Sequence, residues 1–99
     1  MQIKEIKLED SIMLKVKGRV DTGTSPELQQ EILKSFQKKN HLILDFEEVD
    51  YISSAGLRAL LIGQKTANSK GGSMKLVHVC EMVNNILEMS GFINILTIE

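Results

Sequence analysis

The sequence predicts an α/β fold in which a mixed, mostly parallel sheet of roughly four to five strands packs against three or four helices. Short apolar runs with a period of two occur near the N-terminus, and stretches with apolar residues at helical spacing alternate with apolar runs over the rest of the chain. Strands that alternate with helices need crossover connections, which join parallel strands. The predicted order is β-β-α-β-α-β-α, with a further strand near the C-terminus.

The first two strands are predicted from alternating apolar and polar residues. Ile3 and Ile6 lie among charged neighbours, and residues 9–11 read as a polar turn. Ile12, Leu14 and Val16 then alternate with Met13 and lysines, which is the period of a half-buried strand. Two such runs across a short turn indicate an antiparallel hairpin, which Gly18 ends or kinks.

The first helix is predicted to begin at residues 25–27. Ser25 can cap free backbone N–H groups, Pro26 suits the first helical position, and Glu27 suits the positive end of the helix dipole. One amphipathic face follows from the spacing of Leu28, Ile32, Leu33 and Phe36.

The remaining elements alternate between strand and helix. Residues 42–44 form a continuous apolar run, typical of a strand buried on both faces by helices. A second helix follows residues 53–56 and ends at the glycines of positions 71 and 72. Residues 75–79, including His78, are predicted as a strand, and a third helix ends at Gly91. Residues 93–98 suggest a final short strand.

Composition excludes several classes of function. The chain has 99 residues, the size of one domain, and 12 basic against 13 acidic residues leave a net charge of −1. This balance argues against binding to nucleic acid or to an anionic membrane by bulk charge. The N-terminus does not resemble a signal peptide, and the longest apolar run is only residues 59–62. We therefore expect a cytoplasmic protein.

Residues that could carry catalysis are scarce. His41 and His78 are the two histidines, and neither stands at metal-ligand spacing. Cys80 is the single cysteine, without a resolving partner, and a structural role is favoured for it. The glycine pairs match no phosphate-binding motif. The sequence therefore predicts no catalytic residue, no metal and no cofactor.

One segment, residues 45–58, stands out. A buried strand leads into an acidic turn, after which Ser53 and Ser54 lie where the second helix begins. Helix capping by either serine explains the two hydroxyls. Gly56 is unusual in a first helical turn, because glycine costs up to about 1 kcal/mol relative to Ala in a helix interior and less near an end. Close approach of another backbone or of a partner would explain it.

This segment, with Gly-Arg-Val-Asp at 18–21 upstream and Met-Ser-Gly-Phe at 89–92 downstream, resembles a STAS domain over essentially the whole chain, 1–99. More narrowly, it is similar to the anti-sigma factor antagonists of bacterial partner-switching systems. Their motif Asp-Ser-Ser/Thr-Gly-Leu carries a phosphorylated serine, which the resemblance places at Ser54. In this chain Ser53 replaces the aspartate and Ala55 replaces the second hydroxyl residue.

The resemblance also implies partners. An anti-sigma factor with serine-kinase activity would bind the chain when Ser54 is free, and so release a sigma factor. A phosphatase would reverse the modification, and any ATP and magnesium would belong to the kinase. The chain itself would be no enzyme and would contact neither nucleic acid nor membrane. Asp21 and Ser53 are expected to support the phosphorylation site, and the expected partner contacts are Thr24, Gly56, Leu57 and Arg58.

Two alternatives remain open from the sequence. STAS domains also serve as adapter subunits of transporters or stress-sensing complexes, some of them without phosphorylation. A small nucleotide-binding protein or enzyme could instead use the helix start at Ser53 and Ser54 as an anion site.

Overall fold

The computed structural model describes residues 1–99 and contains the predicted order of elements. The α/β fold class is therefore confirmed, with a mixed sheet of five strands. The elements are β1 (Gln2–Lys7), β2 (Ile12–Lys17), α1 (Ser25–Lys38), β3 (His41–Glu48), α2 (Ser54–Ser69), β4 (Ser73–Val77), α3 (Glu81–Ser90), a 3₁₀ turn (Phe92–Asn94) and β5 (Thr97–Ile98).

The strands lie side by side in chain order, β1-β2-β3-β4-β5. β1 pairs with β2 in antiparallel orientation, and every later pair is parallel. Each parallel pair is joined by a crossover that contains one helix, and each crossover moves to the next strand in the same direction. Right-handed crossovers of this kind all lie on one side of the sheet, so α1, α2 and α3 cover the same face. The opposite face is open to solvent, so the structure has two layers.

The burial of the strands follows this arrangement. In β2, Ile12, Leu14 and Val16 are buried under the helices, whereas Lys15 and Lys17 are exposed on the open face. The expectation that β3 is buried on both faces is wrong, because Ile43 is only partly covered on the open side. Twenty buried side chains from strands, helices and the loops between them form one core cluster, and Phe36 and Phe46 are among its largest members.

Two further expectations are corrected near the C-terminus. The fourth strand ends at Val77, and His78 lies beyond it with a φ of 58°, a left-handed conformation that cannot continue a strand. Residues 93–98 do not form one strand, because a 3₁₀ turn occupies Phe92–Asn94 and only Thr97–Ile98 pair with β4. Gly91 does end α3, in the left-handed conformation expected of a helix terminator.

The start of α1 also differs from the expectation. Thr24 occupies the N-cap position, and Ser25 is the first helical residue, buried, with its hydroxyl donating to the Asp21 carbonyl. Pro26 lies in the first turn, as predicted. None of the three helices is both long enough and apolar enough to cross a lipid bilayer.

Candidate functional site

Two loops meet at the carboxyl ends of β2 and β3. An isolated parallel bridge pairs Val20 with Ile52. The Val20 amide donates to the Tyr51 carbonyl over 3.0 Å, and the Ser53 amide donates to the Val20 carbonyl over 2.8 Å. These bonds place the Asp21 loop directly beside the start of α2.

At the start of α2, the two serines have different environments. Ser53 is the N-cap residue, with extended backbone, and its Oγ accepts a hydrogen bond from the Gly56 amide at 3.3 Å. Ser54 is the first residue of the helix and is exposed. The capping hydroxyl is therefore that of Ser53, which leaves the Ser54 hydroxyl on the surface at the positive end of the helix dipole.

Asp21 organises the neighbouring loop. Its Oδ1 accepts from the amides of Gly23 and Thr24, each at 3.0 Å, and from the Thr24 hydroxyl at 3.1 Å. The Thr24 amide, followed by the Thr24 hydroxyl, lowers the pKa of Asp21 below its ordinary value of 3.8. The carboxylate is thus ionised at neutral pH, and it lies in the loop that pairs with the start of α2.

Thr24 and Arg19 complete this loop. The Thr24 hydroxyl accepts from the Asp21 amide at 2.9 Å, and its single hydrogen is shared between the Arg19 carbonyl at 2.7 Å and Asp21 Oδ1. The Arg19 guanidinium stacks over the Tyr51 ring, 4.4 Å from its centroid, and its Nε lies 3.9 Å from Asp21 Oδ2. The loop is therefore held by its own polar contacts and by a cation–π contact to the second loop.

Three of the expected contact residues differ in exposure. Arg58 is exposed, whereas Gly56 is buried and Leu57 is only 8% exposed. A Cβ on Gly56 would lie 2.6 Å from Ile52 Cγ1 and 2.7 Å from Val20 Cγ1. Packing inside the domain therefore accounts for this glycine, and Gly56 and Leu57 support the surface from beneath.

An open cleft of about 660 Å³ separates the N-terminal turns of α1 and α2. Only two of its ten lining residues are hydrophobic, and the lining includes Gly23 on the loop, Glu27 on α1, and Ala55 and Arg58 on α2. Ser54 immediately precedes Ala55, one of the lining residues, at the start of α2.

A model of the family described as "STAS domain" matches residues 2–99 of the chain. Among curated proteins, the anti-sigma F factor antagonist of Paenibacillus polymyxa is 28% identical over 89 residues, which span 88% of this chain and 76% of the relative.

Two solved structures share the fold. An anti-sigma factor antagonist from Mycobacterium paratuberculosis superposes with a TM-score of 0.86 at 18% identity, covering 98% of this chain and 83% of that chain. The Bacillus cell fate determinant SpoIIAA in its phosphorylated form superposes with a TM-score of 0.75 at 13% identity, covering 99% of this chain and 91% of that chain.

Proposed function

Since the chain belongs to the STAS domain family, we propose that it is an anti-sigma factor antagonist whose binding to an anti-sigma factor is gated by phosphorylation of Ser54. The name of the Paenibacillus relative supports the class of function. In this proposal the unmodified chain binds the anti-sigma factor, so that a sigma factor is released, and the phosphorylated chain dissociates.

The observation that carries the proposal is the position of Ser54, exposed at the first residue of a 16-residue helix. An exposed hydroxyl is accessible to a kinase. A phosphate there would lie near the positive end of the helix dipole, where an anion gains about 0.3–2 kcal/mol. Because Ser53 supplies the cap, modification of Ser54 need not break the capping bond. We therefore expect the phosphorylated domain to stay folded.

Gating then acts on the partner. A phosphate adds about −1.5 to −2 charge at neutral pH. Burying this charge in an interface shaped for a neutral hydroxyl would oppose docking. Loss of binding by a hundred- to thousandfold requires roughly 3–4 kcal/mol. The ionised Asp21 in the adjoining loop would repel the phosphate on Ser54 and so add like-charge repulsion to the phosphorylated state.

The proposed docking surface comprises Ser54, Arg58 and the exposed edge of the loop that Thr24 holds. Arg58 offers a cation to an acidic group of the partner. Ser53 fixes the helix start, Gly56 sets the depth of the helix over Val20 and Ile52, and Leu57 belongs to the buried core. The partner would be a serine kinase that supplies ATP and magnesium, with a phosphatase acting in reverse. The chain would act in the cytoplasm as a substrate and a competitor, not as an enzyme.

The first prediction concerns charge at this surface. Ser54→Asp should weaken binding to the anti-sigma factor by about a hundredfold or more while leaving the thermal midpoint nearly unchanged. Ser54→Ala should bind like the wild type. Pull-down from the native cell with both baits would identify the kinase, and titration calorimetry with the purified kinase would measure the affinities.

Ser73→Asp is the matched control, because it adds the same charge at the exposed first residue of β4, at the opposite end of the parallel strands from Ser54. It should leave binding intact. Equal binding of the Ser54→Asp chain would contradict gating by charge, and phosphate on Ser53 instead would move the site by one residue. Capture of a transporter subunit regardless of Ser54 would favour the adapter function, whereas nucleotide turnover by the chain alone would favour the nucleotide-binding alternative.

A further inference from the structure

A second polar cluster, formed by Asp45, Glu47 and His78, lies apart from the proposed docking surface. One ligand atom from each residue lies within 4.8 Å of the others. His78 Nδ1 is 3.0 Å from Asp45 Oδ1 and 3.8 Å from Glu47 Oε2. None of the three residues lines the cleft beside Ser54.

Strand register explains why these residues meet. Asp45 pairs with Val77 across β3 and β4, so His78 follows immediately at the carboxyl end of the neighbouring strand. Asp45 and Glu47 both come close to His78 Nδ1, and the pairing of β3 with β2 shifts register between Asp45 and Glu48. The left-handed backbone of His78 redirects the chain at the end of β4. Histidine is among the residues that adopt this conformation more often than most.

Asp45 is the buried, fixed member of the cluster. Its side chain is only 7% exposed, and both of its hydrogen bonds, from the Glu47 amide and from His78, end on Oδ1. Lys15, its cross-strand neighbour in β2, is the adjacent cation. The Asp45 carboxylate therefore has one lysine and one imidazole beside it.

The separations suit a small tetrahedral ion. Zinc binds imidazole nitrogen and carboxylate oxygen at about 2.0–2.2 Å, so two ligands of one tetrahedral ion lie roughly 3.3–3.5 Å apart. The observed distances of 3.0 and 3.8 Å bracket this separation. Side-chain rotation of Glu47 and His78, which are 70% and 59% exposed, can adjust both distances. Imidazole also favours zinc over magnesium and calcium, which prefer oxygen ligands alone.

From this geometry we propose that Asp45, Glu47 and His78 bind a divalent transition-metal ion, with zinc as the best fit. The ion takes Nδ1 of the neutral imidazole and one oxygen from each carboxylate. It replaces the His78–Asp45 hydrogen bond, and the Nδ1 proton of that bond is transferred through solvent to Nε2. The exposure of His78 and Glu47 leaves the fourth coordination position open to water. This site is independent of the proposed function, because it uses none of the residues assigned to phosphorylation or docking.

Titration of the full chain with zinc chloride, followed by NMR of the histidine ring protons, tests the proposal. The chain has only two histidines. His41 serves as an internal reference, because it lies at the opposite end of β3 and its Nδ1 contacts Ser73 Oγ at 2.8 Å. Zinc should shift the His78 resonances saturably at concentrations that leave those of His41 unchanged. Magnesium chloride should shift neither.

Variants distinguish the cluster from other ligands. His78→Asn keeps a residue that tolerates left-handed backbone, and Glu47→Gln changes an exposed side chain. Each should weaken zinc binding by at least about tenfold, in line with the cost of disturbing a metal site, whereas His41→Asn and Cys80→Ser should not. Thermal melts without zinc verify that each variant is folded. Equal shifts of both histidines, no shift of His78 at millimolar zinc, or loss of binding in Cys80→Ser would overturn the proposal.

Discussion

Gly56 shows how one residue sets the depth of α2 over the β2–β3 loops. A methyl group at this position would lie 2.6 Å from Ile52 and 2.7 Å from Val20, both of which are buried. We expect Gly56→Ala to lower the free energy of unfolding by roughly 1–3 kcal/mol, because overpacking forces the helix or the side chains to move. Urea unfolding would measure the loss.

Gly23→Ala is the matched control for this substitution. A Cβ there would lie 3.5 Å from Asp21 Oδ1, an ordinary van der Waals contact, and the backbone of Gly23 lies outside the left-handed region. The change should be neutral or stabilise the fold by up to about 1 kcal/mol, through a smaller unfolded-state entropy. Equal losses in the two variants would argue against the packing explanation of Gly56.

At the scale of an element, α2 carries one buried polar group without a partner. Gln64 is only 9% exposed, and its Oε1 has no hydrogen bond, although its Nε2 donates to Asn68. An unpaired buried acceptor costs about 1–3 kcal/mol. We expect Gln64→Met, which keeps the unbranched shape, to raise the unfolding free energy by about 1 kcal/mol. Calorimetric melts of the wild type and the variant would measure this gain. Gln37→Met, at an exposed position of α1, is the control and should produce no gain in stability.

Element boundaries were predictable where local chemistry decides them. The alternation of β2 and the left-handed Gly91 after α3 are local signals, and both agree with the structure. The end of β4 was not predictable, because His78 continues the alternation of its neighbours while the fold places it in a left-handed turn. Which serine caps α2 also depends on the bridge between Val20 and Ile52, a contact made across the chain.

At the scale of the whole molecule, the carboxyl edge of the sheet gathers the polar groups. The residue pattern alone marks Ser53 and Ser54 as candidate helix caps, and only the resemblance to a family assigns functional roles to Ser54 and Asp21. The cluster of Asp45, Glu47 and His78 had no sequence signal, because it forms only through the parallel register of β3 and β4. A sequence shows contacts within an element, whereas contacts between elements require the topology.

Acidic groups at the carboxyl edge of the sheet are expected to set the acid stability of the whole molecule. The pKa values of Asp21 and Asp45 are both lower in the folded state than the ordinary value of 3.8. Hydrogen bonds from Thr24 lower the pKa of Asp21, whereas burial opposes ionisation of Asp45 and is outweighed by the Glu47 amide and the His78 imidazole. The unfolded chain therefore binds these protons first as the pH falls. The stabilisation is fully present above the unfolded pKa and is lost as the pH falls through the lower, folded pKa values. We expect the unfolding free energy to decline steeply below about pH 4.

Asp45→Asn isolates the buried contribution to this decline. The variant should lose about 1–3 kcal/mol at neutral pH, because hydrogen bonds to a charged, buried acceptor become neutral ones. Its stability should fall less steeply than that of the wild type below about pH 4, because the amide takes up no proton. Urea unfolding at several pH values between about 3 and 7 gives both slopes. Asp50→Asn, at an exposed position, is the control and should reproduce the wild-type curve of unfolding free energy against pH. A curve for Asp45→Asn that runs parallel to the wild-type curve would show that the buried carboxylate does not control acid unfolding.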